Sequence, residues 1–207
     1  MESFLHKLKD ISTFIFDVDG VLTDGSVYVM ENGEQARQFN IKDGYAIQLA
    51  VKCGYNVCAI SGSRSKIAIH RLNSLGVKDV YIGAHTKSEN FRLYLESKHV
   101  LPASVLFMGD DIPDLDVMKM VTLLMNARAR SEAMNRMDRG DYVGAQMAMA
   151  AAAMDNEILF SRLPNDRDLR EEIDDLNDVQ LSLSVRENDT MTRKRMAYRR
   201  ESIRKNK

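Results

Sequence analysis

Residues 13–25 read Thr-Phe-Ile-Phe-Asp-Val-Asp-Gly-Val-Leu-Thr-Asp-Gly, and the organisation of the chain follows outward from them. Thr13–Phe16 is a short apolar run rich in strand-forming residues, and it ends in Asp17 and Asp19, two carboxylates separated by one residue. Asn56–Ile60 (NVCAI), Val80–Ile82 (VYI) and Val105–Met108 (VLFM) are runs of the same kind. Between them lie Gly44–Cys53, Ser65–Leu75 and Lys87–His99, whose apolar positions recur every three or four residues, the period of an amphipathic helix. Strand then helix, repeated, predicts an α/β fold: a parallel sheet with helices on both faces. Val121–Met125 (VTLLM) is expected to supply a fifth strand. One interruption stands after the first strand, where Ser26–Met30, Glu31-Asn32-Gly33 and Glu34–Asn40 read as a β-hairpin insertion. Asn-Gly is a strong hairpin signal because both central residues then take positive φ.

The 207 residues suffice for one such domain, expected over residues 1–125, with an appendage over 126–207. From about residue 126 strand-like runs cease and Met, Ala, Arg and Asp dominate. Arg128–Asp138, Tyr142–Asp155, Asn165–Asn177 and Asp189–Ile203 read as helices, the first pair joined at Arg139-Gly140-Asp141 and Pro164 marking a break. This helical tail resembles a single helical hairpin, which cannot bury its own face and must dock on something. Met134, Met137, Met147, Met149 and Met154 recur at near-helical spacing and read as packing surface.

A formal net charge of -1 gives no bulk attraction to nucleic acid or membrane. Eight of the last fifteen residues are Lys or Arg, but Asp166–Asp178 is crowded with acids that can neutralise them. Tyr198 is the one aromatic in that basic run, poor equipment for stacking bases, so nucleic acid is not an expected partner. No apolar run is long enough to span a bilayer. The opening MESFLHKLKDIS lacks the uninterrupted apolar core of a signal peptide, so the cytoplasm is the expected compartment. Cys53 and Cys58 have neither redox nor zinc spacing and read as reduced, buried thiols.

Ligands of open parallel sheets bind beyond the carboxyl ends of the strands. That edge gathers Asp17 and Asp19 after the first strand, Ser61 and Gly62 after the second, Lys87 at a helix start, and Asp110, Asp111 and Asp114 after the fourth. The set suits phosphoryl transfer, in which charge on the transferring group must be stabilised. A carboxylate nucleophile and an anionic phosphate repel one another, so a divalent cation is needed between them. Magnesium prefers oxygen ligands, which Asp17, the Asp19 carbonyl and Asp110 would supply. Lys87 would offer positive charge to nucleophile and phosphate, while Ser61 and neighbouring N–H groups such as that of Gly62 hold the remaining phosphate oxygens. Asp17 would be the nucleophile. Asp19 would protonate the leaving alcohol and then activate water against the aspartyl phosphate.

DVDGVLTDG, AISGS, Lys87 and GDDIPD resemble the four motifs of the haloacid dehalogenase (HAD) superfamily, which implies a Rossmann-like HAD fold. Neither Thr23 to Asp43 nor Tyr81 to Lys87 leaves room for a cap domain. DVDGVLTDG, FNIKDGYAIQLA, RLNSLGVKDVYIGAHTK and GDDIPDLDVM together resemble the capless 3-deoxy-D-manno-octulosonate 8-phosphate phosphatases over about residues 11–121. The resemblance implies a phosphoric monoester hydrolase of bacterial surface-polysaccharide (lipopolysaccharide) biosynthesis, a homotetramer whose hairpins meet at the centre and whose subunits cover each other's sites. It implies that Thr23 and Asp24 shape the loop beside the nucleophile and that Asn40, Asp43 and Gly44 lie near the substrate. It also makes Arg64 and Arg71 candidates for the sugar carboxylate. Past residue 121 the resemblance stops: Thr122-Leu123-Leu124 stands where the family has a Gly-Leu-Pro turn, and no Gly-Gly pair follows. Two other readings stay open, a HAD phosphatase of changed or broad substrate range and a non-catalytic HAD scaffold presenting a helical interaction tail.

Overall fold

The computed structural model describes residues 8–184 and 189–205; the first seven residues of the N-terminal stretch lie outside it. The chain divides into two compact units, residues 1–117 and 118–207. The N-terminal unit is built on a four-stranded sheet of β1 (Thr13–Phe16), β4 (Asn56–Ser61), β5 (Asp79–Ile82) and β6 (Val105–Met108). Its order is β5-β4-β1-β6 and every pairing is parallel. From β1 the chain moves outward through β4 to β5, then returns to place β6 on the other side of β1. The carboxyl ends of β1 and β6 therefore flank the point where strand order reverses, the crevice in which such sheets hold ligands.

Alternation along β4 shows why helices cover both faces. Val57 and Ala59 pack with Ile47 of α1 (Ile41–Lys52) and with Ala68 and Leu72 of α2 (Ile67–Ser74). The intervening Cys58 and Ile60 are fully buried, and the period of two in a strand turns them to the opposite face. Phe91 and Tyr94 of α3 (Lys87–Lys98) meet Phe107 of β6 and Tyr81 of β5 edge to face, at 6.0 and 6.4 Å between ring centres. Asn40 starts α1 as its N-cap, its side-chain oxygen accepting from the Lys42 N–H at 2.8 Å.

The hairpin is present as β2 (Tyr28–Val29) paired antiparallel with β3 (Gln35–Ala36), but its turn differs from the expected one. Gly33 alone has positive φ, +82°, and Asn32 does not. The Gly33 N–H donates to the Met30 carbonyl and the Met30 N–H to the Glu34 carbonyl, a three-residue connection closed by a glycine bulge. The third loop residue relieves Asn32 of the left-handed conformation, and its side chain instead caps Glu34, accepting from that N–H at 3.0 Å.

The expected fifth strand is not one. Val121–Met125 lies inside α4 (Ile112–Asp138), a helix of 27 residues. A five-residue apolar run does not by itself distinguish a buried strand from a buried helical segment. Pro113 is tolerated in the first turn of α4 and no glycine interrupts the chain until Gly140, so the helix runs on. It continues into the second unit, which also holds α5 (Tyr142–Phe160), α6 (Arg167–Ser184) and α7 (Asp189–Lys205). Gly140, at φ +78°, makes the turn before α5, and Asp141 caps that helix.

This unit has its own apolar core, including Ala133, Met137, Met149, Leu176, Val179 and Met196. Of the methionine stripe, Met137 and Met149 are buried and Met134 packs against them, whereas Met147 and Met154 are exposed. The last two lie seven residues apart, on the face of α5 turned away from Ala145, Met149 and Ala152. Beside the apolar core, Arg130 is fully buried and bonds Glu172 at 2.5 Å and Asp175 at 2.7 Å. Asn126 donates to Glu172 and to Asn156, and Arg199 reaches the other Glu172 oxygen at 3.1 Å. Arg195 pairs with Asp175 and Asp178 at 2.8 and 2.9 Å, and Arg193 pairs with Asp138. The basic run is thus neutralised in part within the chain. No helix among the described residues is long and apolar enough to cross a membrane.

Two outcomes follow. Removing one partner of a buried ion pair leaves the other charge uncompensated. Arg130→Ala should destabilise the helical unit by about 3–5 kcal/mol, seen as a lower urea midpoint by circular dichroism while amide protection in the sheet is unchanged. Cys58 is buried, which pushes its thiol well up, and Cys53 is exposed. A thiol reagent should therefore label one cysteine in the native protein and both after denaturation.

Candidate functional site

The site is built where β1 and β6 end. Asp17 follows β1 directly and is buried, and its N–H continues the sheet by donating to the Met108 carbonyl at 2.8 Å. From the first turn of α3 the Lys87 side chain, 2% exposed, brings Nζ to Asp17 at 3.1 Å, Asp114 at 2.9 Å and Asp111 at 3.1 Å. Asp111 and Asp114 stand at the start of α4, where the Asp110 and Asp111 N–H groups donate to the second Asp114 oxygen. Oxygens of Asp17, Asp110 and Asp114 lie within 4.8 Å of one another.

Two glycines permit this crowding. A methyl group on Gly20 would lie 2.0 Å from an Asp110 oxygen, and one on Gly109 would lie 2.2 Å from the Asp114 carboxyl carbon. Gly20 also holds φ +94°, a conformation that other residues adopt only with strain.

The electrostatics follow from burial. Burial pushes the Asp17 carboxyl above its ordinary range, against the pull of the Val18 N–H and Lys87. It pushes Asp114 up to about 6, helped by its hydrogen bond with Asp111 and opposed by Lys87. For half-exposed Asp111 burial is the largest single influence and acts upward, but the hydrogen bonds with Asp114 and Lys87 and the Lys87 charge together outweigh it and hold the carboxyl below the usual carboxylate range. Burial alone would lower the Lys87 ammonium, but its bonds to Asp114, Asp17 and Asp111 win and keep it charged. Three carboxylates thus share the Lys87 ammonium with Asp110 beside them, a set rich in hard oxygen donors. That composition fits a divalent metal of the magnesium or calcium type, which Asp17, Asp110 and Asp114 could hold.

The other residues singled out from the sequence are spread around this cluster. Ser61 is buried at the end of β4, its Oγ accepting from the Ser63 N–H at 3.1 Å, with Gly62 between them. Thr23 braces the loop after β1, its Oγ1 accepting from the Gly20 and Gly25 N–H groups and donating to the Val18 carbonyl. Asp24 serves a local turn, accepting from the Ser26 N–H. Asn40 caps α1, Asp43 is exposed in its first turn, and Gly44 is buried where Arg71 leaves no room for a side chain. Arg71 thus packs against α1. Arg64 contacts His85 at 2.9 Å. It lines, with Lys66, His70, Met30 and Gln35, an open cavity of about 640 Å³ between the hairpin and the start of α2.

Arg37 was not marked by any sequence motif, yet its Nε meets Asp19 Oδ1 at 2.5 Å. A lone arginine in a hairpin reads as a solvated charge; only the folding of the hairpin back toward β1 gives it a partner.

Lys87→Met keeps the length and removes the charge, stranding Asp17 and Asp114. A loss of about 3–5 kcal/mol in the stability of the N-terminal unit is expected near neutral pH. The stranded carboxyls would have folded pKa values above their unfolded ones, so the deficit should be greater at about pH 8 than at about pH 5. Chemical unfolding of both proteins across that range checks the size and the sign.

No protein-family model matches the chain. Residues of the chain are 38% identical over 117 positions to the 3-deoxy-D-manno-octulosonate 8-phosphate phosphatase of Escherichia coli, covering 56% of this chain and 62% of the relative. The Yersinia pestis enzyme of the same name is 34% identical over 122 residues, with 59% and 65% covered. The match therefore spans less than two thirds of these relatives' length. Among solved structures, a 3-deoxy-D-manno-octulosonate 8-phosphate phosphatase from Moraxella catarrhalis in complex with magnesium, phosphate and the sugar aligns at TM-score 0.55 and 27% identity, over 57% of this chain and 68% of that one. A putative phosphatase of that name from Vibrio cholerae aligns at TM-score 0.55 and 32% identity, over 57% and 66%. By sequence and by sheet architecture, this chain carries a HAD-fold homologue of the 3-deoxy-D-manno-octulosonate 8-phosphate phosphatases.

Proposed function

We propose that the N-terminal unit is a magnesium-dependent phosphomonoesterase acting on an acidic sugar phosphate, 3-deoxy-D-manno-octulosonate 8-phosphate in the first instance. The observation that carries this reading is the buried Lys87 ammonium held by Asp17, Asp111 and Asp114, beside carboxylates that fit a hard cation. Relatives at 34–38% identity that bear this name supply the substrate class.

In this reading Asp17, Asp110, Asp114 and the Asp19 carbonyl would hold a magnesium ion, which would supply positive charge against the repulsion between nucleophile and phosphate. An Asp17 oxygen attacks phosphorus, the ester P–O bond breaks, and its electron pair leaves on the sugar oxygen, which takes a proton from Asp19. Asp19, now a carboxylate, accepts a proton from water as that water attacks the aspartyl phosphate and releases phosphate from Asp17. Lys87 keeps the Asp17 carboxylate oriented and meets the charge on the transferring group. Ser61 and the N–H of Gly62 are assigned the phosphate oxygens. Arg64, in the cavity beside the hairpin, is assigned the sugar carboxylate. Asp111 supports Lys87 and Asp114; Thr23 and Gly20 shape the loop that carries Asp19. Cytoplasmic location and a homotetramer accompany the reading as expectations from the relatives' resemblance.

Phosphate release from 3-deoxy-D-manno-octulosonate 8-phosphate should require magnesium and fall by at least about a thousandfold in Asp17→Asn. Release from other phosphomonoesters alone would favour an altered substrate range. Absence of release from any phosphomonoester by folded protein would favour the scaffold reading.

A further inference from the structure

Arg37 stands immediately after β3, and its side chain is 7% exposed. Nε donates to Asp19 Oδ1 at 2.5 Å, and Nη2 donates to Ser63 Oγ at 3.2 Å. Ser63 is itself fixed on three sides. Its N–H donates to Ser61 Oγ at 3.1 Å, its Oγ accepts from the Ser65 N–H at 3.2 Å, and its carbonyl accepts from the Gly83 N–H at 2.8 Å. One guanidinium thus joins the loops that follow β1 and β4, and Ser63 ties the second of these to the loop after β5. Its donors form a rigid planar fork, so a second partner on Nη2 fixes the angle at which Nε presents itself to Asp19.

Asp19 needs such an anchor. It precedes a left-handed glycine and its side chain is one third exposed. Among the described residues, the hydrogen bonds and ion pairs of its carboxylate run to Arg37. The contact uses a single N–H on Oδ1, not the two-pronged grip an arginine can make, and so leaves Oδ2 for a proton.

We infer that Arg37 is the positioning residue for Asp19, holding its carboxyl by Oδ1 so that Oδ2 faces the leaving oxygen. This rests on the reading of Asp19 as the acid. As the ester P–O bond breaks, the proton on Oδ2 passes to the departing alkoxide. The carboxylate left behind is the species Arg37 is placed to pair with. The hairpin therefore contributes to proton delivery, a role separate from any contact its tip makes with other molecules.

Leaving-group dependence tests this. A sugar alkoxide cannot depart without a proton, whereas p-nitrophenolate departs without one. kcat/KM covers only steps through transfer to Asp17, so the later use of Asp19 as a base does not enter. In Arg37→Met, the ratio of kcat/KM for 3-deoxy-D-manno-octulosonate 8-phosphate to that for p-nitrophenyl phosphate should fall about tenfold to a hundredfold. Arg37→Lys should recover part of the ratio. An unchanged ratio, whether both substrates slow equally or neither does, overturns the inference. If the unaltered protein hydrolyses neither substrate, the phosphatase reading fails instead. The crystal structure of Arg37→Met then decides the positioning role: Asp19 turned away with Ser63 and β3 in place supports it, and Asp19 unmoved overturns it.

Discussion

One ammonium group organises the N-terminal unit. Lys87 is the first residue of α3, where the helix dipole disfavours a cation, and its side chain is buried, where a cation is costly. Both penalties are met by the three carboxylates it touches, which come from the ends of β1 and the start of α4. Those carboxylates in turn depend on it, since Asp17 and Asp114 are as deeply buried as the lysine. The ion cluster therefore fixes the distances among one strand end and two helix starts. Local costs of this kind concentrate at functional sites.

Glycine makes that arrangement possible at two points and the hairpin completes it at a third. Gly20 and Gly109 let Asp110 and Asp114 pack against backbone, which concentrates oxygens in a volume too small for side chains with Cβ atoms. The hairpin brings Arg37 to Asp19 from outside the sheet. The short β2–β3 arm is the element between β1 and α1, so it is the one able to reach over the loop after β1.

The helical unit solves a different problem. Four helices with a modest apolar core also bury Arg130, Glu172, Asn126 and Asn156 as one connected network, extended outward by Arg195 and Arg199. Its carboxylates and amides are paired, and the buried Arg130 Nε stands without a hydrogen-bond partner among the described residues. The network ties α4, α6 and α7 in register and pairs basic residues of the tail with acids of the chain, the neutralisation expected from the Asp166–Asp178 stretch. The matches to the phosphatases cover 56–59% of the chain.

Four strands, three helices and the placing of Asp17, Ser61, Lys87 and Asp110 at one sheet edge were determined by the sequence alone. Each rests on local pattern: short continuous apolar runs, helical spacing, and polar residues that begin where those runs stop. Tertiary structure decided what local pattern leaves open. VTLLM is equally apolar as strand or helix, and its place inside α4 was settled by an uninterrupted helix running into a second unit. The turn at Gly33 took a third residue, so Asn32 never needed a positive φ. Asp114 reads in sequence as the last residue of GDDIPD with no assigned ligand role, and the first turn of α4 brings its carboxylate to those of Asp17 and Asp110. Arg37 carries no signal at all, because a contact across 18 residues of chain depends on how the hairpin folds back, and that is set by packing and not by neighbours in sequence.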